Sequence, residues 1–389
     1  MVSNRKELLE IISDFLNEKK VVEIIELSRG HINDSYIIKM PNYQYILQRI
    51  NTNVFTRPFG MMNNIYRVTK HIKYKVIYEG ENPQKAVLNV VRTKYGELLS
   101  IKDGEYWRMV EFINDSESYD NVTNKEVFYE MGKIVGRFQN LLNNFPSRIL
   151  DDSISHFHDT KYRYENFLKT ISVSNERINS CIEEIEFFKS HSEICGHITN
   201  LLKKREIPER VSHNDTKPNN ILFDVKTKKA LCMIDLDTVM KGSLLYDYGD
   251  AIRFGASTAL EDETDLDKVG IDFELFESFT EGFLLEMKPK ENELIENSTK
   301  PISKEEIRLL YDGYHIITIE LAMRFLVDYL LGDIYFRIDK KRPQHNLERA
   351  RNQMKLVTEI EANEKKLKEI INKILIKLEY DPDNLIQID

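Results

Sequence analysis

The sequence predicts an α+β chain of two lobes, a small β-rich lobe over residues 1–113 and a larger, mostly helical lobe over 114–389. Three observations predict it. Apolar residues alternate with period two in short runs before residue 113, they recur at helical spacing in long runs after it, and Asn114-Asp115-Ser116 marks the change. With 389 residues, 41% of them hydrophobic, the chain can bury a sizeable core in two domains or in one bilobal unit.

The first lobe opens with a helix over 4–20, where Leu8, Ile11, Ile12 and Phe15 keep helical spacing. Strands are expected at 21–27, 35–40 and 43–50, the last two joined by a tight turn at Pro41-Asn42. A helix over 57–78 follows, then strands at 86–92, 97–101 and 105–113 around turns at Tyr95-Gly96 and Asp103-Gly104. In the second lobe, 124–143, 162–169 and 175–204 read as helices. Short strands flank 213–235, and helices resume from 246 to about 380, interrupted by a solvated Lys- and Glu-rich connection at 288–305.

Charge and cysteine usage exclude several classes. The net charge is -9, and Lys and Arg are spread without a dominant basic block, so no nucleic-acid partner is expected. Cys181, Cys195 and Cys232 are odd in number and lack CxxC spacing, and the chain opens on a polar stretch, so a reducing cytoplasm is expected. The apolar run 311–332 is interrupted by Asp312, His315, Glu320, Arg324 and Asp328, which reads as a buried helix and not a membrane span. A monomer or small homo-oligomer is expected.

The chemistry concentrates in His213-Asn214-Asp215-Thr216-Lys217-Pro218-Asn219-Asn220 and in Ile234-Asp235-Leu236-Asp237. Phosphoryl transfer needs a carboxylate near the attacking hydroxyl and oxygen ligands for a Mg²⁺ that neutralises the nucleotide phosphates. Asp215 with Asn220 five positions on has the spacing of such a loop, with Asp215 as catalytic base and Asn220 as metal ligand. Asp235, ending a short apolar strand, is placed as the second metal ligand, and His213 is expected beneath the loop. Any one of these residues alone is an ordinary turn former. Their combination in this order is not.

These two runs resemble the aminoglycoside phosphotransferase and choline kinase superfamily, and within it the N-acetylhexosamine 1-kinases. The likeness extends through Trp107-Arg108-Met109, through 246–255 and through 320–330. It implies a protein-kinase-like bilobal fold with ATP and Mg²⁺ bound between the lobes. It further implies transfer to the anomeric hydroxyl of GlcNAc or GalNAc.

On the nucleotide side, 27–35 joins two strands where a phosphate-covering loop is expected, with Gly30 and Asn33 as its candidates. Gln48 or Arg49 on the third strand is expected to contact phosphate, Arg49 being favoured for its charge. The following helix carries Met61-Met62-Asn63-Asn64-Ile65 with no acid to pair that cation. Glu111 and Ile113, in the segment between the lobes, are candidates for the adenine edge, although an ordinary strand explains them equally.

On the acceptor side, Glu320, Arg324 and Asp328 recur every four residues as one polar stripe, with Arg324 and Asp328 as substrate candidates or as a plain ion-pair ladder. His31 and Asp237 join them because the resemblance puts both at the mouth of the cleft. On an extended strand Asp235 and Asp237 would share a face. Asp247 is expected to cap amides of its helix or of the catalytic loop. Kinases of choline, homoserine, a methylthioribose-like sugar or an aminoglycoside are alternatives, as is a nucleotide-binding module without catalysis.

Overall fold

The structure, a computed structural model, describes residues 5–27, 32–122, 124–173, 176–289 and 301–388. In chain order it runs α1 (Arg5–Phe15), β1 (Glu23–Leu27), β2 (Asp34–Lys39), β3 (Gln44–Arg49), α2 (Pro58–Tyr78), α3 (Pro83–Ala86), β4 (Val90–Val91), β5 (Ser100–Lys102), β6 (Glu105–Glu111) and β7 (Ser116–Glu117). There follow α4 (Lys125–Leu141), α5 (Thr160–Ser172), α6 (Ile182–Ser190), α7 (His197–Lys204), β8 (Arg210–Ser212), β9 (Ile221–Asp224), β10 (Ala230–Met233) and β11 (Met240–Gly242). Among the described residues six α-helices follow: α8 (Leu244–Gly255), α9 (Phe273–Met287), α10 (Lys304–Arg308), α11 (Leu310–Leu331), α12 (His345–Ala362) and α13 (Glu364–Lys377).

Two compact units are formed. The first comprises the chain through Ser118 together with Asn144–Ser155 and Asn220–Lys241, and the second takes the remainder. The sequence marks one boundary near 113; the contacts place it at 118 and return two later segments to the β-rich unit. No composition signal announces such a return, because it depends on pairing between distant strands.

In the β-rich unit an antiparallel sheet runs β1-β2-β3-β6-β4, with β5 also on β6. Leu8, Ile11, Ile12 and Phe15 of α1 pack on Tyr36, Leu47, Trp107 and Met109 and cover one face. Residues 86–92 supply only a two-residue strand, because Asn82 caps a helical turn that takes Pro83–Ala86. A second, three-stranded sheet has the order β10-β9-β7.

The helical unit is built around α11, which is buried along most of its length, as its apolar composition predicts. Gly249 of α8 and Gly313 of α11 let these helices meet backbone to backbone; a Cβ on Gly249 would collide with the Gly313 carbonyl and stand 3.0 Å from Ile317. That approach fixes α8, which carries Asp247 and Asp250. The helix expected over 175–204 is divided into α6 and α7, with Gly196 at φ 96° just before the second. Among the described residues, no helix is long and apolar enough to cross a membrane.

Candidate active site

In the helical unit, β8 ends at Ser212 and the chain turns through a loop held from below by α8. Asp247 is fully buried, and its carboxylate accepts from the His213 amide at 2.8 Å, the Asn214 amide at 2.7 Å and the Gln139 side-chain amide at 2.6 Å. The expected capping role therefore goes to the amides of His213 and Asn214 in the loop after β8. Burial pushes the Asp247 carboxyl above its usual range, against the pull of His213 and of these donors. The Thr216 hydroxyl donates to the Asp247 carbonyl at 2.7 Å, and its amide donates to Asp250 at 3.3 Å. Burial pushes Asp250 up, but Arg253, Lys217 and His158 outweigh it and hold the carboxyl below the ordinary value.

These anchors impose the loop's shape. Asn214 takes φ 66°, a left-handed conformation that Asn tolerates, and the Asp215 amide donates to His213 Nδ1 at 3.3 Å. His213 is fully buried and meets Phe138 edge-on, with ring centres 5.8 Å apart. Asp215 remains partly exposed, and Lys217 Nζ stands 2.9 Å from its carboxylate. Asp215 raises the Lys217 pKa, more than burial lowers it. Sequence reasoning missed Lys217, although the Asp-x-Lys spacing within the motif was visible.

In the β-rich unit, β9 and β10 pair with Met233 opposite Ile221, and the Ile234 amide donates to the Asn220 carbonyl at 2.8 Å. The hairpin thus brings the segments carrying Asn220 and Asp235 side by side. Asp235 takes φ 57° and is exposed, and a 3-10 turn over Leu236–Thr238 follows. The chain is not extended there, so Asp237 does not share a face with Asp235. Asp237 is 1% exposed and pairs with Arg108, while Asn33 Nδ2 donates to its other oxygen at 2.7 Å. This corrects the expectation of Asp237 as a substrate contact.

With this geometry in hand, comparison with known proteins is decisive for the family. The profile of the Phosphotransferase enzyme family matches residues 23–274. The chain belongs to that family. Among solved structures, similarity extends to a choline kinase from Cryptosporidium parvum Iowa II (14% identity, 96% of this chain and 98% of that one, TM-score 0.55). It also extends to a microcompartment-associated aminopropanol kinase (11%, 92% and 98%, 0.55) and to an ethanolamine kinase from Plasmodium vivax (13%, 91% and 90%, 0.53). At such identities the likeness shows the fold: a protein-kinase-like α+β fold with a β-rich part and a helical part.

The remaining candidates of this phosphotransferase divide sharply. Strand register settles the choice on β3, where Gln48 stands opposite Arg108 and Ser35, and Arg49 opposite Trp107 and Asp34. Gln48 donates to the Ser35 hydroxyl at 2.9 Å and accepts from Arg108 Nε at 2.9 Å. Arg49 points to the other face and is engaged by Asp34 and, at 3.6 Å, by Glu105. The preference for Arg49 is corrected accordingly, since parity and not charge selects the face. The helix without an acid does not serve the cation expected on β3: Arg49 is held by Asp34, while Arg108 of β6 turns to Asp237. Asn64 of α2 instead donates to the carbonyls of Asp151 at 2.7 Å and Val239 at 3.0 Å.

Glu111 donates its amide to the Asn89 carbonyl at 2.9 Å, and the Ile113 carbonyl accepts from the Ser116 hydroxyl at 2.5 Å. Those two backbone groups are therefore committed within the β-rich unit. Asn33 is likewise committed, to Asp237 and to the Asn51 amide at 2.9 Å. Gly30 and His31 lie outside the described residues.

On α11 the polar stripe does not act as one ladder. Glu320 is buried and accepts from Thr160 at 2.8 Å, with His158 Nδ1 at 2.8 Å. Burial pushes its carboxyl up, but His158, Arg324 and Arg163 draw it below the ordinary value. His158, which the sequence did not single out, also reaches the Asn214 carbonyl with Nε2 at 3.5 Å. Asp328 turns the other way: its carboxylate accepts from the amides of Ile334, Tyr335 and Phe336 at 3.0, 2.8 and 2.9 Å and from Asn346 at 2.9 Å. It anchors the loop after α11, which corrects its assignment to substrate. Arg324 keeps a 3.9 Å contact with Glu320 and rests among aromatic rings, 5.0 Å from the centre of Phe157, 5.6 Å from Tyr335 and 5.5 Å from Phe336.

Proposed function

We propose that the chain is an ATP- and magnesium-dependent kinase of a small hydroxylated molecule, and that its acceptor is an N-acetylhexosamine, GlcNAc or GalNAc, phosphorylated on the anomeric hydroxyl to the sugar 1-phosphate. The observation that carries the phosphoryl-transfer reading is the Asp215 loop. Its backbone is hung from a buried carboxylate while Asp215 itself stays accessible beside Lys217. That is the arrangement expected of a base that must be held still and yet reach a substrate.

In the reaction the acceptor oxygen forms a bond to the γ-phosphorus as the bond from that phosphorus to the β,γ-bridging oxygen breaks, releasing ADP. Asp215 orients the hydroxyl and takes its proton, which then passes to solvent. Lys217 offers positive charge beside the oxygens that become more negative. The donor set at Asn220 and Asp235 suits magnesium: one exposed carboxylate and one carboxamide, both hard oxygen ligands on neighbouring segments of one hairpin. When bound, the ion neutralises triphosphate charge.

The sugar reading is supported by Arg324, whose guanidinium is braced on rings and presents donors suited to hydroxyl and amide oxygens. Burial lowers the pKa of Arg163, and the neighbouring charge of Arg324 lowers it further. Two neighbouring cations disfavour an ammonium acceptor. A second reading, an amino-alcohol kinase, draws on the same three rings, which would suit an ammonium were Arg324 displaced, and on the kinases of aminopropanol, choline and ethanolamine that share the fold.

A coupled ADP-release assay over hexosamines, amino alcohols and aminoglycosides separates these readings, with NMR of the product locating the phosphate. Turnover confined to amino alcohols would reject the sugar. Asp215→Ala is expected to lower kcat by roughly 10²–10⁴-fold while nucleotide affinity is kept. Unchanged turnover in that variant would remove Asp215 as base.

A further inference from the structure

Arg108 and Asp237 form a buried ion pair in the β-rich unit, with side chains 5% and 2% exposed. Two charges removed from water lose more solvation than a hydrophobic pair of similar size, so cohesion alone is a poor reason for this pair. Its partners show what it holds. Arg108 Nε donates to Gln48, which donates to Ser35, so three adjacent strands are linked through one line of side chains. At the other end, Asp237 is the central residue of the 3-10 turn that begins directly after Asp235, a turn closed by the Val239 amide on the Leu236 carbonyl at 3.1 Å, and Asn33 braces its second oxygen. The turn and the left-handed φ of Asp235 together set where the Asp235 carboxylate points. From α2, Asn64 donates to the Val239 carbonyl just after this turn, a neutral contact at 3.0 Å.

We propose that Arg108 is a positioning residue for metal binding: by clamping Asp237 it fixes the 236–238 turn and thereby the direction of the Asp235 carboxylate. In protein kinases a strand lysine pairs with a helix glutamate, and that pair and the metal-binding Asp must both be in place. Here the helix has no acid at the matching turn, and the sheet is joined directly to the metal loop. The inference rests on Asp235 as a ligand of the nucleotide's metal.

The test measures ATP affinity of the full chain by calorimetry in EDTA and across a magnesium titration, with melting temperature recorded in parallel. Wild type should show tighter ATP binding with Mg²⁺, and Asp235→Asn should abolish that gain. Arg108→Met should raise the half-saturating Mg²⁺ concentration about 10–100-fold with ATP affinity in EDTA unchanged. Because Arg108→Met leaves the Asp237 carboxylate buried without its counter-charge, the double variant Arg108→Met with Asp237→Asn accompanies it. That neutral pair should regain melting temperature but not the magnesium response.

If the double variant regains both, or if Arg108→Met binds Mg²⁺ as wild type does, the clamp is refuted while the metal reading stands. If Asp235→Asn keeps the full magnesium gain, the metal reading fails and takes the clamp with it.

Discussion

Replacing Asp247 tests whether the loop that carries Asp215 is held in the way the contacts indicate. Its two carboxylate oxygens accept from the amides of His213 and Asn214 and from the Gln139 side chain, all buried. In Asp247→Ala these three donors lose their partner, and each buried donor left unsatisfied costs about 1–3 kcal/mol, giving about 3–9 kcal/mol. Asp247→Asn is gentler, because His213 and Gln139 donate to one and the same carboxylate oxygen, which the amide oxygen can replace. One backbone donor, that of Asn214, then faces an NH₂ group, so the expected cost is about 1–3 kcal/mol. Denaturant unfolding measures both.

Turnover should fall further than stability suggests, since Asp215 lies one residue beyond the anchored amides and a shift of order 1 Å in a catalytic group costs about 100-fold. A coupled ADP assay under fully folded conditions reads this. The reasoning is refuted if Asp247→Ala unfolds at the wild-type denaturant concentration. It is equally refuted if Asp247→Asn is destabilised as expected but turns over at the wild-type rate.

Two other perturbations address the scaffold. Gly249→Ala should destabilise by about 1–3 kcal/mol, because its Cβ meets the Gly313 backbone and α8 must move away from α11; since α8 carries Asp247 and Asp250, kcat should fall with it, as thermal unfolding and the ADP assay would show. Asp224 caps the β9–β10 turn by accepting from the amides of Lys226 and Thr227, and backbone donation by Thr227, then Lys85 and the other donors, draws its carboxyl down to about 2. A pKa lowered on folding contributes stability that is complete above the ordinary Asp value of 3.8 and is lost as pH falls through about 2. The stability gap between wild type and Asp224→Asn should therefore be level above pH 5 or so and close toward pH 2 or so, measured by urea unfolding across that range. A gap that widens on acidification would contradict the capping assignment.

What the sequence determined by itself is what depends on neighbours along the chain. Asp215, Lys217 and Asn220 sit in one loop because their spacing is covalent. Asp235 follows β10 because an apolar strand ends where it does, and α11 is buried because its composition leaves no polar face wide enough for water. The tertiary structure alone decided the partners of the polar side chains. Arg49 or Gln48 faces inward according to the register of β3 against β6, and Asp237 is buried because a left-handed residue turns it toward Arg108, 129 residues away in sequence. Asp328, spaced as if to continue a ladder, is taken by three amides of a loop that local periodicity does not describe. Charge pairing and hydrogen bonding act at contact distance in space, and periodicity reports only which face of its own element a residue occupies.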